Sequence, residues 1–205
     1  MNFAFLASFI ALILVISIAI RKQAKQTKQN DAEFWSREQR ANAVRRKSLD
    51  NLNYIQIPLE KFPTNLMQED LRILECIDIM ESLTSRKIVN FTGYSNTDLK
   101  LEYGTGNLEA LTEYDQNYTV LVRTLQKWAD LLLEGGYEKE ASVLMEYAVS
   151  IDTDVSRTYY LLANYYVSCG KMVQIDYLKK KAETLRSANK EVILRNLREK
   201  YPDVF

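Results

Sequence analysis

The sequence predicts an all-α fold: an N-terminal transmembrane helix, then a stack of antiparallel helix pairs beside a long ordered loop. Three observations carry that expectation. The chain opens on an uninterrupted apolar run, and apolar residues further along fall at the three-four spacing of amphipathic helices. In the C-terminal half, residue types return at a spacing of 34: Trp128-Ala129 as Leu162-Ala163, Leu132 as Tyr166, Gly136 as Gly170, Ala141 as Ile175 and Ala148 as Ala182. A unit of that length has room for two helices and a turn, and a repeated unit buries its apolar face by stacking on a neighbour.

The first element is the run from Phe3 to Ile20, 18 residues without a charge and broken only by Ser8 and Ser17. As a helix it measures about 27 Å, close to the thickness of a bilayer core. Ser17-Ile18-Ala19 could serve as a signal-peptide cleavage site, but no Lys or Arg precedes the run, and Arg21-Lys22 follows directly. Residues 1–20 are therefore read as an uncleaved anchor. Positive charge gathers after the span at Arg21, Lys22, Lys25 and Lys28, which places the N-terminus outside and the C-terminal body in the cytoplasm of a single-pass cell-membrane protein. Those four residues are also the candidates for contact with anionic headgroups. The sequons Asn90-Phe91-Thr92 and Asn117-Tyr118-Thr119 carry no meaning in that topology.

The formal charge of zero conceals an asymmetry. Residues 21–47 hold nine Lys/Arg against three Asp/Glu, leaving 18 against 24 for residues 48–205. Residues 21–50 read as a basic neck, with helix formers from Asn30 to Lys47 and Phe34-Trp35 as their only large apolar pair, placed either to dip into the membrane interface or, the plainer expectation, to dock on the body. Residues 51–205 form the acidic helical domain, whose sign disfavours a nucleic-acid partner. The chain has no His, which removes histidine-based nucleophile pairs, imidazole metal ligands and histidine switches. Cys76 and Cys169 lie 93 positions apart in no metal or redox spacing and are expected as buried reduced thiols.

Leu52 to Ile57 alternates at period two ahead of Pro58 and Pro63, which predicts an extended strap and a turn. Leu71, Leu74, Ile77, Ile79, Met80 and Leu83 mark an amphipathic helix between Leu66 and Ile88 that packs under the repeats. From Asn90 to Tyr118, three glycines and many Asn, Asp and Thr residues predict the long loop, kept ordered by its Leu and Tyr content. The first repeat unit covers residues 122–155, with Thr119 to Glu134 as first helix and Tyr137 to Ile151 as second. The next covers 156–189, with helices from Asp154 to Cys169 and from Lys171 to about Arg186. A final helix near Asn189 to Lys200 caps the stack.

The period, the small residues Ala129, Ala141, Ala148, Ala163 and Ala182, and the turn glycines resemble the tetratricopeptide repeat over about 65 residues. Ile175, Lys179, and Thr153 and Ser187 in place of a closing proline depart from its pattern. The resemblance implies a concave face on the first helix of each unit that grips an extended peptide. Here that face consists of Arg123, Gln126 and Asp130, then Arg157, Tyr160 and Asn164, with Arg157 and Asn164 able to donate to a terminal carboxylate. Asn96-Thr97-Asp98-Leu99-Lys100, Tyr103-Gly104 and Asp115-Gln116-Asn117-Tyr118 are similar to a group of uncharacterised single-pass bacterial membrane proteins, a likeness that implies no activity.

The functional expectation is a membrane-tethered adaptor or scaffold that binds a protein or peptide partner and touches the bilayer through residues 3–20. No catalytic set, cofactor or metal ion is read from the sequence. The alternative is a small-molecule receptor or enzyme built on the 90–118 loop, with Asp98, Lys100 and Tyr103 as its candidates. Gly104-Thr105-Gly106 lacks the Lys and glycine spacing of a phosphate loop.

Overall fold

The computed structural model describes residues 3–202, with the side chains of 12, 13 and 16–202. Among the described residues there are eight α-helices and no strand: α1 Phe3–Asn42, α2 Leu71–Thr84, α3 Asn96–Tyr103, α4 Leu108–Glu134, α5 Glu138–Ser150, α6 Ser156–Ser168, α7 Val173–Thr184 and α8 Asn189–Lys200. Single 3-10 turns cover Leu59–Lys61 and Thr105–Asn107. The chain divides into two compact units, one made of Met1–Lys47 and Asn96–Asn107, the other of Ser48–Ser95 and Leu108–Phe205.

In the first unit, α1 is the long element and α3 packs along its C-terminal end. The expected anchor lies at the start of α1, but the side chains of residues 3–11, 14 and 15 are outside the described set. Among the described residues no helix is long and apolar enough to cross a membrane. Arg21, Lys22, Lys25 and Lys28 are all exposed on α1. Phe34 and Trp35 are 55% and 67% exposed and meet edge to face, centroids 5.4 Å apart.

The second unit is the helix-pair stack. α4 and α5 form one pair, α6 and α7 the next, α2 packs on α4, and α8 packs on both α6 and α7. Trp128, Ala129, Leu132, Ala141, Ala148, Leu162, Ala163, Tyr166, Ile175 and Ala182, the apolar members of the echo, are all buried. The alanines let helices approach closely enough for Trp128 and Leu162 to fill the space between them. Gly136 and Gly170 have φ of +82° and +69°. In each turn the residue after the glycine donates back across it, Tyr137 N–H to Leu132 at 2.8 Å and Lys171 N–H to Tyr166 at 2.7 Å. This is the Schellman closure, which needs a left-handed residue at that place.

α2 starts at Asp70, whose carboxylate accepts the Arg72 N–H at 2.9 Å and pairs with the Arg72 guanidinium, so the Asp70 carboxyl is held below its ordinary range. The strap is extended as expected, with Ile55 N–H donating to Ile88 at 2.9 Å and Tyr147 Oη donating to Gln56 at 2.9 Å. Phe62 follows it into the core, its ring perpendicular to Trp128 with centroids 6.0 Å apart.

The long loop is the main correction. Within 90–118, residues 96–103 and those from 108 onward are helical, so α4 begins eleven positions ahead of the expected Thr119. The alternating Leu99-Lys100-Leu101-Glu102-Tyr103 lies in a short helix because α1 offers it a surface, with Thr97 and Leu99 buried. Cys169 corrects a second expectation: it caps α6 at an exposed turn, while Cys76 is buried, and both thiols are free. Burial pushes the Cys76 thiol up.

Candidate functional site

In the first unit, two of the three loop candidates, Asp98 and Lys100, are engaged by α1. Asp98 pairs with Arg37, and Lys100 pairs with Glu38. Lys100 Nζ also donates to Asn42 at 2.9 Å, and Thr97 Oγ1 donates to the second Glu38 oxygen at 2.7 Å. The bonds from Lys100 and Thr97 hold the Glu38 carboxyl below its ordinary 4.5. Tyr103 contributes its carbonyl, which accepts Lys47 N–H at 3.0 Å and Asn107 Nδ2 at 2.8 Å.

Asn107 joins this fastening although the sequence reading passed over it. Its buried amide also donates to the Lys47 carbonyl at 2.7 Å and accepts from Arg46 Nε at 2.7 Å. Gly104, at φ +89°, lets the backbones meet: a Cβ there would sit 2.2 Å from the Arg45 carbonyl oxygen. Residues 96–107 therefore act as a clamp on the end of α1. A carboxylate and an ammonium that neutralise each other are poorly placed to serve as acid and base toward a substrate.

In the second unit, the six residues of the first-helix face lie on α4 and α6, and five of them bond across neighbouring helices. Gln126 Nε2 donates to Asp130 at 3.0 Å and its carbonyl accepts from Thr158 Oγ1 at 2.6 Å. Arg157 Nε pairs with Asp130 at 2.9 Å. Tyr160 accepts from Asn196 Nδ2 on α8 at 2.6 Å, and Asn164 Oδ1 accepts from Tyr201 at 2.9 Å and from Lys200. Arg123 is exposed, with no ion pair among the described residues. The face is a polar seam joining α4, α6 and α8. Arg157 and Asn164, matched by the resemblance to carboxylate recognition, are engaged by Asp130, Lys200 and Tyr201.

Both sequon asparagines hold backbone. Asn117 is buried and its amide donates to the Lys87 carbonyl at 3.0 Å. Asn90 Nδ2 donates to the carbonyls of Ile151 and Asp152 at 3.3 and 3.2 Å, closing the C-terminal end of α5. Asp115 accepts the Phe91 N–H at 3.0 Å, and burial raises its carboxyl more than that bond lowers it. Among the described residues no group of acidic or Cys side chains could hold a metal ion. No known protein family, curated protein or solved structure matches this chain.

Proposed function

We propose that this chain is a membrane-tethered adaptor whose helical-repeat body, similar in its unit to the tetratricopeptide repeat, binds a protein partner in the cytoplasm. The observation that supports the reading is the buried echo: ten residues at a 34-residue spacing make the core of two stacked helix pairs, an architecture that presents long faces to other chains. The tether and its orientation rest on the sequence, on the charge-free run Phe3 to Ile20 followed by Arg21, Lys22, Lys25 and Lys28.

The partner would enter along Arg123 and the exposed Arg157, and a ligand at Asn164 would meet its Nδ2 donor, since Lys200 and Tyr201 bond the Oδ1 side. The chemistry is binding, with no catalytic residue, cofactor or metal assigned. The receptor or enzyme alternative on residues 90–118 gains no support from geometry that commits Asp98 and Lys100 to α1.

The test uses the full chain in its native membrane, with a photocrosslinking residue in place of Arg123, Tyr160 or Val173. The adaptor reading expects one protein adduct shared by positions 123 and 160 and absent from 173, lost on Arg157→Glu. Adducts that do not differ among the three positions overturn the face assignment. Release of the chain by alkaline carbonate overturns the tether.

A further inference from the structure

Within the second unit a polar cleft of about 590 Å³ opens between the strap, the turn at 89–94, the end of α5 and the link from α7 to α8. That volume falls inside the range of about 300–1,000 Å³ typical of ligand sites. It is separate from the first-helix face.

The balance of donors and acceptors in this cleft is uneven. Its acceptor floor is the carbonyl end of α5, and that floor is satisfied: Ile151 accepts from Asn90 and from Tyr118 Oη at 3.2 Å, and Ser150 accepts from Lys181 Nζ at 3.2 Å. Asp152, the acidic side chain in the lining, pairs with Lys181 at 2.5 Å. The remaining charge is Arg186. Its guanidinium carbon lies 4.6 Å from the centroid of the Tyr94 ring, and among the described residues it has no carboxylate partner. Stacking occupies the face of a guanidinium and leaves the in-plane N–H fork free, the geometry that takes a carboxylate in two parallel bonds.

The Arg186 backbone is held in place as well. Gly93 packs so closely against it that a Cβ would lie 2.7 Å from the Arg186 Cβ and 2.9 Å from its carbonyl oxygen. Asn53 and Gln56 on the strap and Ser187 beside Arg186 add neutral polar groups able to donate to the same ligand.

We propose that this cleft binds a carboxylate-bearing ligand through Arg186, with Tyr94 setting the plane of the guanidinium and Asn53, Gln56 and Ser187 as secondary donors. The carboxylate can come from a small organic acid or from the end of a peptide, and the probes separate these sources. Calorimetric titration of the full chain in detergent micelles uses succinate, tri-alanine with a free C-terminal carboxylate, and tri-alanine amide.

Binding of succinate alone identifies a small-acid site, and binding of the free-acid peptide with or without succinate identifies a peptide-end site. The amide should bind at least about tenfold more weakly than the free acid, the loss expected when one charge-assisted pair is removed. Arg186→Gln should abolish the heat of binding, Arg186→Lys should weaken it severalfold because the ammonium lacks the fork, and Arg195→Gln, an exposed charge outside the cleft, should leave it unchanged. Circular dichroism establishes that each variant is folded, and Arg186→Lys decides the matter if Arg186→Gln is not. Absence of binding by both acids at concentrations on the order of 10 mM overturns the proposal, as does equal binding by the folded Arg186→Gln or Arg186→Lys variant. The crosslinking at Arg123 and Tyr160 is unaffected by either result, so the two readings fail separately.

Discussion

The two helix pairs follow one period but do not bury the same surface. α5 and α7 are both second helices, yet α5 buries Ala141, Ser142, Leu144, Met145, Ala148 and Val149, while α7 buries only Ile175, Leu178 and Ala182. Met145 and its counterpart 34 positions on, Lys179, differ in the same sense: one is buried, the other half-exposed and engaged in a polar interaction. Neighbours explain the difference. The first pair has α2 on one side and α6 on the other, whereas the second ends on the short α8 and leaves Val173 84% exposed. A repeat's stability is a sum of its own fold and its interfaces, so equal sequence spacing does not give equal stability.

The largest test replaces the two equivalent core residues. Trp128→Ala should cost about 3–5 kcal/mol, and Leu162→Ala about 2–4, through lost burial and the cavities left behind. Denaturant midpoints with unchanged m-values measure both. A larger loss for Leu162 would break the comparison. Trp128→Phe sharpens it, because Trp128 Nε1 is a buried donor with no acceptor among the described residues. Its removal offsets part of the lost volume, so this variant should cost less than about 1.5 kcal/mol.

Overpacking should rank next. Ala129→Leu and Ala163→Leu both insert bulk where helices touch, at about 1–3 kcal/mol each. The second should be the milder, because an end pair can shift toward solvent. Equal costs would mean that α8 holds the second pair as firmly as α6 holds the first.

Alkali should probe both pairs together. Burial raises the hydroxyls of Tyr118 and Tyr159 well above their ordinary range and pushes Tyr147 up to about 12. Their folded pKa values exceed the unfolded value of 10.0, so the stability they contribute is complete below pH 10 and lost as pH rises through the folded values. The phenolate absorbance of these three, taken as the difference from variants with each changed to Phe, should therefore appear in step with loss of helix above that pH. Phenolate formation by these three residues with the helices intact would contradict the burial.

At the turns the effect should be equal in the two pairs. Gly136→Ala and Gly170→Ala meet no atom within 4 Å, so only backbone strain acts, at about 1–2 kcal/mol for each. In the first unit, acid should loosen the clamp instead. Glu38 is held below 4.5, so its contribution is present above that pH and fades as pH falls through the lowered value. Lower amide protection factors at Lys47 and Gly104 in acid, taken against the intrinsic exchange rate at each pH and reproduced at neutral pH by Glu38→Gln, would record the loosening.

Much of the stack was legible in residue order. Helix pairs, turn glycines, the amphipathic α2 and the capping α8 are local or periodic features, and their apolar and left-handed positions are visible without any partner. The stretch from 96 to 107 was not legible. Its Asn, Asp, Thr and Gly content is that of a loop, and it becomes helix only where Glu38, Asn42 and Arg37 supply partners some 60 positions earlier. The cleft escaped for a similar reason: Tyr94 and Arg186 are far apart in sequence and ordinary in type, and no periodicity brings them together.

The sequence by itself determined the all-helical class, the two pairs and the residues of their core, because burial at a fixed period leaves a mark on every turn of helix. Tertiary structure alone decided what the polar residues do. Asp98 and Lys100 became a clamp, Arg157 and Asn164 part of a seam, and Arg186 the uncompensated charge of a cleft, since the use of a charge depends on which distant group lies within a few ångströms of it.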